Sequence, residues 1–275
     1  MRIDAHLHLW PSPEGYAWLT PELAAIHRGL DPEEARAAIG SAGFDAAVLM
    51  QAADTDADTE HLLALAEHHD WILGVVGWVP LDDAARAAER LDELTGRPLV
   101  GVRALIHDQP DTGLLDRPAV RATLALLAER GLPLDVPDAW PGHLAAATRA
   151  AAEVDGLVVV LDHLGKPPAD ASAIEAWQAA LEALAAVPTA VAKVSGLHHA
   201  GRPLEASLFD RVWEVALAAF GPERLMLGSD WPMPTLGEGL APLAAQQATA
   251  LAALSPAERA HLEAGTARRV YRLED

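Results

Sequence analysis

The chain has 275 residues, 51% of them hydrophobic, and a formal net charge of -20. That is enough apolar material for a large core, and so acidic a surface repels phosphate backbones and anionic lipid, so neither nucleic acid nor membrane is expected as a partner. Cysteine is absent, which excludes disulfides and thiolate metal sites, and no apolar run is long enough to span a bilayer.

The first strand is expected from about Arg2, which leaves no room for a signal peptide and points to a cytoplasmic protein. Short β-rich runs then alternate with Ala-rich helical stretches. The predicted strands are Ile3–His8, Ala46–Gln51, Ile72–Val79, Leu99–Leu105, Leu132–Val136, Leu157–Leu161, Ala190–Val194 and Leu225–Gly228. Helical patterns between them include Pro32–Ala42, Ala57–His69, Arg117–Arg130, Ala173–Ala186 and Leu208–Phe220. Asp31-Pro32-Glu33-Glu34 supplies an N-cap, a proline at the first helical position and acids in the first turn, and Ser255-Pro256-Ala257-Glu258 repeats the pattern. Gly131 and Gly221 follow helical stretches as stop signals. Eight strand–helix units without a linker predict an α/β chain forming a single (β/α)8 TIM barrel over residues 1–275. A doubly wound sheet would need a glycine-rich phosphate loop after the first strand, and none occurs.

In such a barrel, chemistry sits at the C-terminal ends of the strands. His8, Gln51, Trp78, Arg103, Asp135, His163, Ser195 and Asp230 fall there. The segment Trp10–Leu30, with Tyr16 and Trp18, is expected across that face as a lid.

Side chains alternate along a strand, so His6 and His8 in Asp4-Ala5-His6-Leu7-His8 point the same way. Two converging imidazoles are expensive to bury unless they share a metal or hydrogen bonds. Asp4 shares their face one layer deeper, where it is expected to orient an imidazole. Asp230, in Gly228-Ser229-Asp230-Trp231-Pro232, reads as a turn aspartate, a general base on water or a metal ligand. His163 follows an apolar strand in Asp162-His163-Leu164-Gly165-Lys166-Pro167, whose Gly-Lys-Pro suggests a shaped loop carrying an ammonium. Arg103 ends an apolar strand and needs either a carboxylate partner such as Asp135 or a substrate carbonyl or carboxylate.

Only two lysines, Lys166 and Lys193, stand against 18 arginines. A compact ammonium cannot be replaced by a planar guanidinium in a tight site, so both attract interest. Lys193 and Ser195 share a strand face, and His198 and His199 follow as either a solvated pair or part of the site. His107 is placed to reach the mouth, and Trp10, Trp78 and Trp231 either line a pocket or pack the core.

These motifs, with Gln51-Ala52-Ala53, Gly74-Val75-Val76-Gly77-Trp78, Gly101-Val102-Arg103 and Lys193-Val194-Ser195-Gly196-Leu197, run in order along the whole chain. Together they resemble the amidohydrolase superfamily, in its amidohydrolase-2 group, and within it the sugar-lactone hydrolases of the L-fuconolactonase and L-rhamnonolactonase type. The resemblance implies a lactonase, with His6, His8, His163 and Asp230 as the catalytic set and as the ligands of one divalent metal, zinc. It equally allows a reaction without metal, as in some relatives of this branch. Arg103 and Asp135 stand in the regions where binuclear relatives carry a bridging lysine or glutamate and a histidine, so a carbamylated-lysine bridge is not expected. Arg103, Gln51, Trp10, Trp78, His107, Lys193 and Trp231 would bind a small-molecule lactone. The alternatives are a metal-dependent decarboxylase, a dicarboxylate-lactone hydrolase, an amide or ester hydrolase and a non-catalytic sugar-binding barrel. Alanine-rich outer helices permit a homodimer.

Overall fold

A computed structural model describes residues 1–107 and 109–274. Eight parallel strands form one sheet in the order β1 (Ile3–Leu7), β2 (Ala46–Met50), β3 (Ile72–Gly77), β4 (Leu99–Arg103), β5 (Leu134–Val136), β6 (Val159–Leu161), β7 (Val191–Val194) and β10 (Leu225–Leu227). A two-stranded hairpin, β8 (His198–His199) with β9 (Arg202–Pro203), stands above β7. The sheet closes where Asp230 N donates to His6 O at 2.9 Å and His8 N donates to Trp231 O at 2.9 Å. Among the described residues, this is the predicted (β/α)8 barrel. Most observed strands stop a residue or more short of their predicted ends, where the chain leaves the ladder.

Helices α1 (Pro32–Ser41), α2 (Asp56–His68), α3 (Ala84–Glu93), α4 (Pro118–Arg130), α5 (Leu144–Glu153), α6 (Ile174–Ala185), α7 (Ala206–Phe220) and α8 (Leu240–Ala252) cover the sheet, followed by α9 (Pro256–Ala260) and α10 (Thr266–Tyr271). Asp31 caps α1 by accepting from Glu33 N, and Ser255 with Glu258 forms a capping box on α9. The main core lies between sheet and helices, with Leu7, Leu49, Val75, Val102, Leu134 and Trp177 among its buried members. A second cluster joins Ile3, Val48, Met50, Val76, Val160, Val191 and Met226 to Val270 and Tyr271, so that α10 closes the barrel floor. No helix among the described residues is long and apolar enough to cross a membrane.

β1 departs from regular alternation. Its register against β2 shifts between Asp4 and Leu7, a bulge that re-aims side chains. Asp4 therefore does not orient an imidazole: its Oδ1 accepts from the backbone N–H of His6 at 3.1 Å and of Ser229 at 2.8 Å, joining β1 to the strand that closes the barrel. Burial pushes this carboxyl up to about 6 against those hydrogen bonds.

Candidate active site

His6 and His8 leave β1 with their Nε2 atoms 3.1 Å apart, both side chains nearly inaccessible. His8 Nδ1 lies 3.0 Å from Met50 O, and a carbonyl only accepts, so the proton is on Nδ1. His6 Nδ1 lies 3.2 Å from Asp162 Oδ1 and 3.3 Å from Lys193 Nζ. The lone pair of His8 Nε2 then faces His6 Nε2. Asp230 Oδ1 approaches them at 3.8 Å and 3.6 Å, and approaches His163 Nε2 at 3.6 Å.

Beneath these groups lies a dry ionic network. Lys193 Nζ, with no exposed surface, reaches Asp135 Oδ2 at 2.5 Å and Asp162 Oδ1 at 2.9 Å. Arg103 Nε donates to Asp162 Oδ2 at 2.9 Å, and Tyr271 Oη donates to Asp135 Oδ2 at 2.6 Å. Burial opposes ionisation of Asp162, but Lys193, His6 and Arg103 outweigh it and hold the carboxyl well below its ordinary range. At Asp135 burial dominates the pull of Lys193, and its carboxyl is pushed up to about 6. Arg103 thus pairs with Asp162 rather than with Asp135.

His163 is delivered by a left-handed turn after β6, with φ of 56° at His163, 53° at Leu164, 74° at Gly165 and 65° at Lys166. Each non-glycine residue there costs about 1–2 kcal/mol. The turn is held by Trp177 Nε1 donating to Leu164 O at 2.8 Å, Trp140 N to Gly165 O at 2.9 Å and Lys166 Nζ to Gly196 O at 2.9 Å. Opposite the ring, a Cβ on Gly196 would sit 2.3 Å from His163 Nδ1, so only glycine leaves room. His163 Nδ1 meets Ser195 Oγ at 2.9 Å.

Asp230 itself has a φ of 58°. Its Oδ2 lies 3.0 Å from His198 Nε2. Gly201 N donates to His198 Nδ1 at 3.2 Å, which places the imidazole proton on Nε2, so His198 donates to Asp230. His198, 4% exposed, belongs to the site and is no solvated residue. Its local sequence left the two readings open, because the hairpin is seated by Gly201 lying against Gly237, far along the chain.

These groups open into a cavity of about 140 Å³ lined by His8, Trp18, Arg103, His107, His163 and Asp230, with Asp138, Lys166, His198 and Met233 among the other wall residues. Trp18 reaches the cavity from the expected lid, its Nε1 donating to Ala52 O at 2.7 Å. Tyr16 Oη donates to Asp58 Oδ1 at 2.5 Å and pins the segment down.

Five residues expected to bind substrate are not on this wall. Trp10 is fully buried, donating from Nε1 to Arg28 O and packing edge-on against Trp18. Trp78 lines a neighbouring groove with Asp54 and Pro80. Trp231 is 3% exposed and sits in the closing strand contact. Gln51 is buried, its side-chain Nε2 donating to Arg103 O at 3.0 Å while its backbone carbonyl accepts from Arg103 Nη1 at 2.8 Å. Lys193 serves the network below. In each case hydrogen bonds or packing inside the fold take up a group that the strand pattern alone aims at ligand. The pattern equally missed Asp138, which follows β5 on an irregular loop.

The donor set fits a divalent cation. His6, His8 and Asp230 place their ligand atoms within 4.8 Å of one another. Two imidazole nitrogens 3.1 Å apart share either a proton or a cation, and tetrahedral zinc with bonds of about 2.0–2.1 Å requires nitrogens roughly that far apart. Protonation states agree. Burial pushes His6 and His163 down to about 3, leaving neutral imidazoles. Burial also opposes ionisation of Asp230, but His163 and the hydrogen bond from His198 hold it well below its ordinary range. Neutral imidazoles with an ionised carboxylate are the state a metal takes up. His163 stands beside this trio, outside the converging set.

The family model described as amidohydrolase matches residues 3–273. The chain belongs to the amidohydrolase family. Family relatives include an L-fucono-1,5-lactonase of Burkholderia multivorans, 34% identical over 100% of this chain and 97% of its own length. Another L-fucono-1,5-lactonase, of Burkholderia ambifaria, is 32% identical over 99% of this chain and 96% of its own. A crystal structure of an amidohydrolase from Burkholderia multivorans with bound zinc superimposes with a TM-score of 0.90 at 32% identity, covering 100% of both chains.

Proposed function

We propose that this amidohydrolase hydrolyses a sugar lactone, adding water to a small cyclic ester. The observation that carries the reading is an ionised Asp230 set among His6, His8 and His163 at the base of a cavity of about 140 Å³. A space of that size suits a small ring. The two relatives named L-fucono-1,5-lactonases, alike over nearly their whole length, support a six-membered ring.

Asp230 Oδ1 takes a proton from water as the water oxygen bonds to the lactone carbonyl carbon. Negative charge develops on the carbonyl oxygen. Ser195 Oγ donates to His163 Nδ1 and leaves Nε2–H facing that charge, while Arg103 stands on the cavity wall. One such donor is typically worth about 3–4 kcal/mol. Collapse breaks the ring C–O bond, and the proton on Asp230 passes to the leaving alkoxide, giving a hydroxy acid. His198 holds Oδ2 throughout, so Oδ1 is the oxygen that exchanges the proton. We assign His6, His8 and Asp230 as ligands of one zinc ion, which when bound supplies further electrophilic pull on the carbonyl.

A pH-indicator assay over five- and six-membered aldonolactones tests this. Stereoselective acid release above the spontaneous rate is expected, falling about 10²–10⁴-fold in Asp230→Asn. Undiminished turnover by that variant would refute the mechanism. Carbon dioxide release from an aromatic acid, with no acid release from any lactone, would indicate decarboxylation instead.

A further inference from the structure

The charged layer under the site is held from the far end of the chain. Tyr271, in α10, is 1% exposed, and its Oη donates to Asp135 Oδ2 at 2.6 Å. The same oxygen takes Lys193 Nζ at 2.5 Å, and that ammonium lies 5.5 Å from the centre of the Tyr271 ring. Lys193 Nζ in turn stands 3.3 Å from His6 Nδ1 and 2.9 Å from Asp162 Oδ1, itself 3.2 Å from that ring nitrogen. An unbroken file of polar contacts thus joins the last helix to a histidine of the site. Asp135, Lys193, Asp162 and His6 are all at most 1% exposed, so no water can stand in for a lost member. None of Tyr271, Asp135 and Lys193 is among the described residues that line the cavity, so none acts by touching a ligand.

A phenylalanine at 271 would fill the same floor without burying a hydroxyl, so the oxygen needs a reason of its own. Asp135 supplies it. Its Oδ1 has no hydrogen-bond partner among the described residues, so the carboxylate is anchored through Oδ2. Two donors on one oxygen fix the direction of a carboxylate. With Lys193 alone it pivots, and the ammonium loses its fixed point between Asp135 and Asp162. We propose that Tyr271 is a positioning residue: through Asp135 and Lys193, its hydroxyl sets the orientation of the His6 imidazole that meets the cation. This role rests on the assignment of zinc to His6, His8 and Asp230, and it extends the site to the final helix. Groups that hold a metal ligand from behind orient it and tune its affinity.

The test is Tyr271→Phe, which keeps the ring and removes one oxygen. Zinc affinity of the metal-free protein is measured by competition with a chromophoric chelator. The variant should bind zinc about 10- to 100-fold more weakly than wild type. Val270→Ala is the control. It thins the same floor cluster from the same helix but has no polar group to join the file, so it should lower Tm and leave zinc affinity within about twofold. Unchanged affinity in Tyr271→Phe, or an equal loss in Val270→Ala, overturns the proposal, since the hydroxyl would then only hold the floor in place. Long-range proton–nitrogen correlation spectra of the histidine rings, taken without metal, give a reading that does not depend on zinc. Tyr271→Phe should move the His6 ring nitrogens and leave those of the exposed His68 in place, while Val270→Ala should move neither. His6 signals that ignore the loss of the hydroxyl overturn the proposal. Wild type that binds no zinc would instead strike the metal assignment, leaving these spectra to judge Tyr271.

Discussion

Replacing Lys193 with methionine, a side chain of similar length, should unsettle the whole lower layer of the site. Lys193 is fully buried, 2.5 Å from Asp135 and 2.9 Å from Asp162, and no solvent can substitute for it. Removing one partner from a buried ionic cluster typically costs about 3–5 kcal/mol, because the charges left behind stay desolvated. For a protein of this size that is a fall in Tm of roughly 6–20 °C. The deficit should depend on pH. Burial raises the Asp135 carboxyl from an ordinary 3.8 to about 6, with Lys193 pulling against the rise. A carboxyl raised on folding adds stability below its unfolded value and loses it as pH rises through its folded value. Without Lys193 the folded value moves higher, so the loss extends into neutral and alkaline pH. Thermal melts of wild type and Lys193→Met at pH 5, 6, 7 and 8 should show a gap that widens with pH. Lys193→Arg should not restore the melt, because the larger planar fork has no room between two buried carboxylates. A gap under about 1 kcal/mol at pH 8, or one that narrows as pH rises, would refute the reasoning.

Gly196→Ala places a Cβ 2.3 Å from His163 Nδ1 at a φ of 55°, so activity should collapse and Tm should fall by several degrees; an active, equally stable variant would show that the turn after β7 yields freely. His198→Ala releases Asp230 Oδ2, and kcat should drop about 10- to 100-fold with KM little changed; a change in KM alone would place His198 with substrate recognition instead. Removing metal with a chelator should lower Tm, and zinc added back should restore it, whereas His8→Ala should bind no zinc in elemental analysis. A wild-type melt that ignores both treatments would leave the imidazole pair without its cation.

The barrel was legible because its signal is local and repeated: apolar runs for the strands, capping residues for the helices, spaced so that parallel strands are the only economical pairing. His6, His8, His163, Arg103 and Asp230 were legible for the same reason. A residue at the C-terminal end of a barrel strand is carried to one face of the molecule whatever its loops do. The tryptophans of the site were misjudged. Trp10, Trp78 and Trp231 sit beside motifs in the sequence yet pack away from the cavity, while Trp18 folds back from the lid to line it.

What tertiary structure alone decided are the partners. Which carboxylate Arg103 takes depends on how β4 faces the turn after β6, and the choice of Asp162 leaves Asp135 to Lys193. His198 meets Asp230 only because Gly201 and Gly237 bring the hairpin against the loop after β10. Asp138 is aimed by an irregular turn with no periodicity to read. Sequence by itself determined which chemical groups stand at the mouth of the barrel, since strand period and strand order place them. It did not determine which groups are consumed by one another and which stay open to a ligand, because those pairings span up to 225 residues and no local pattern encodes a contact at that range.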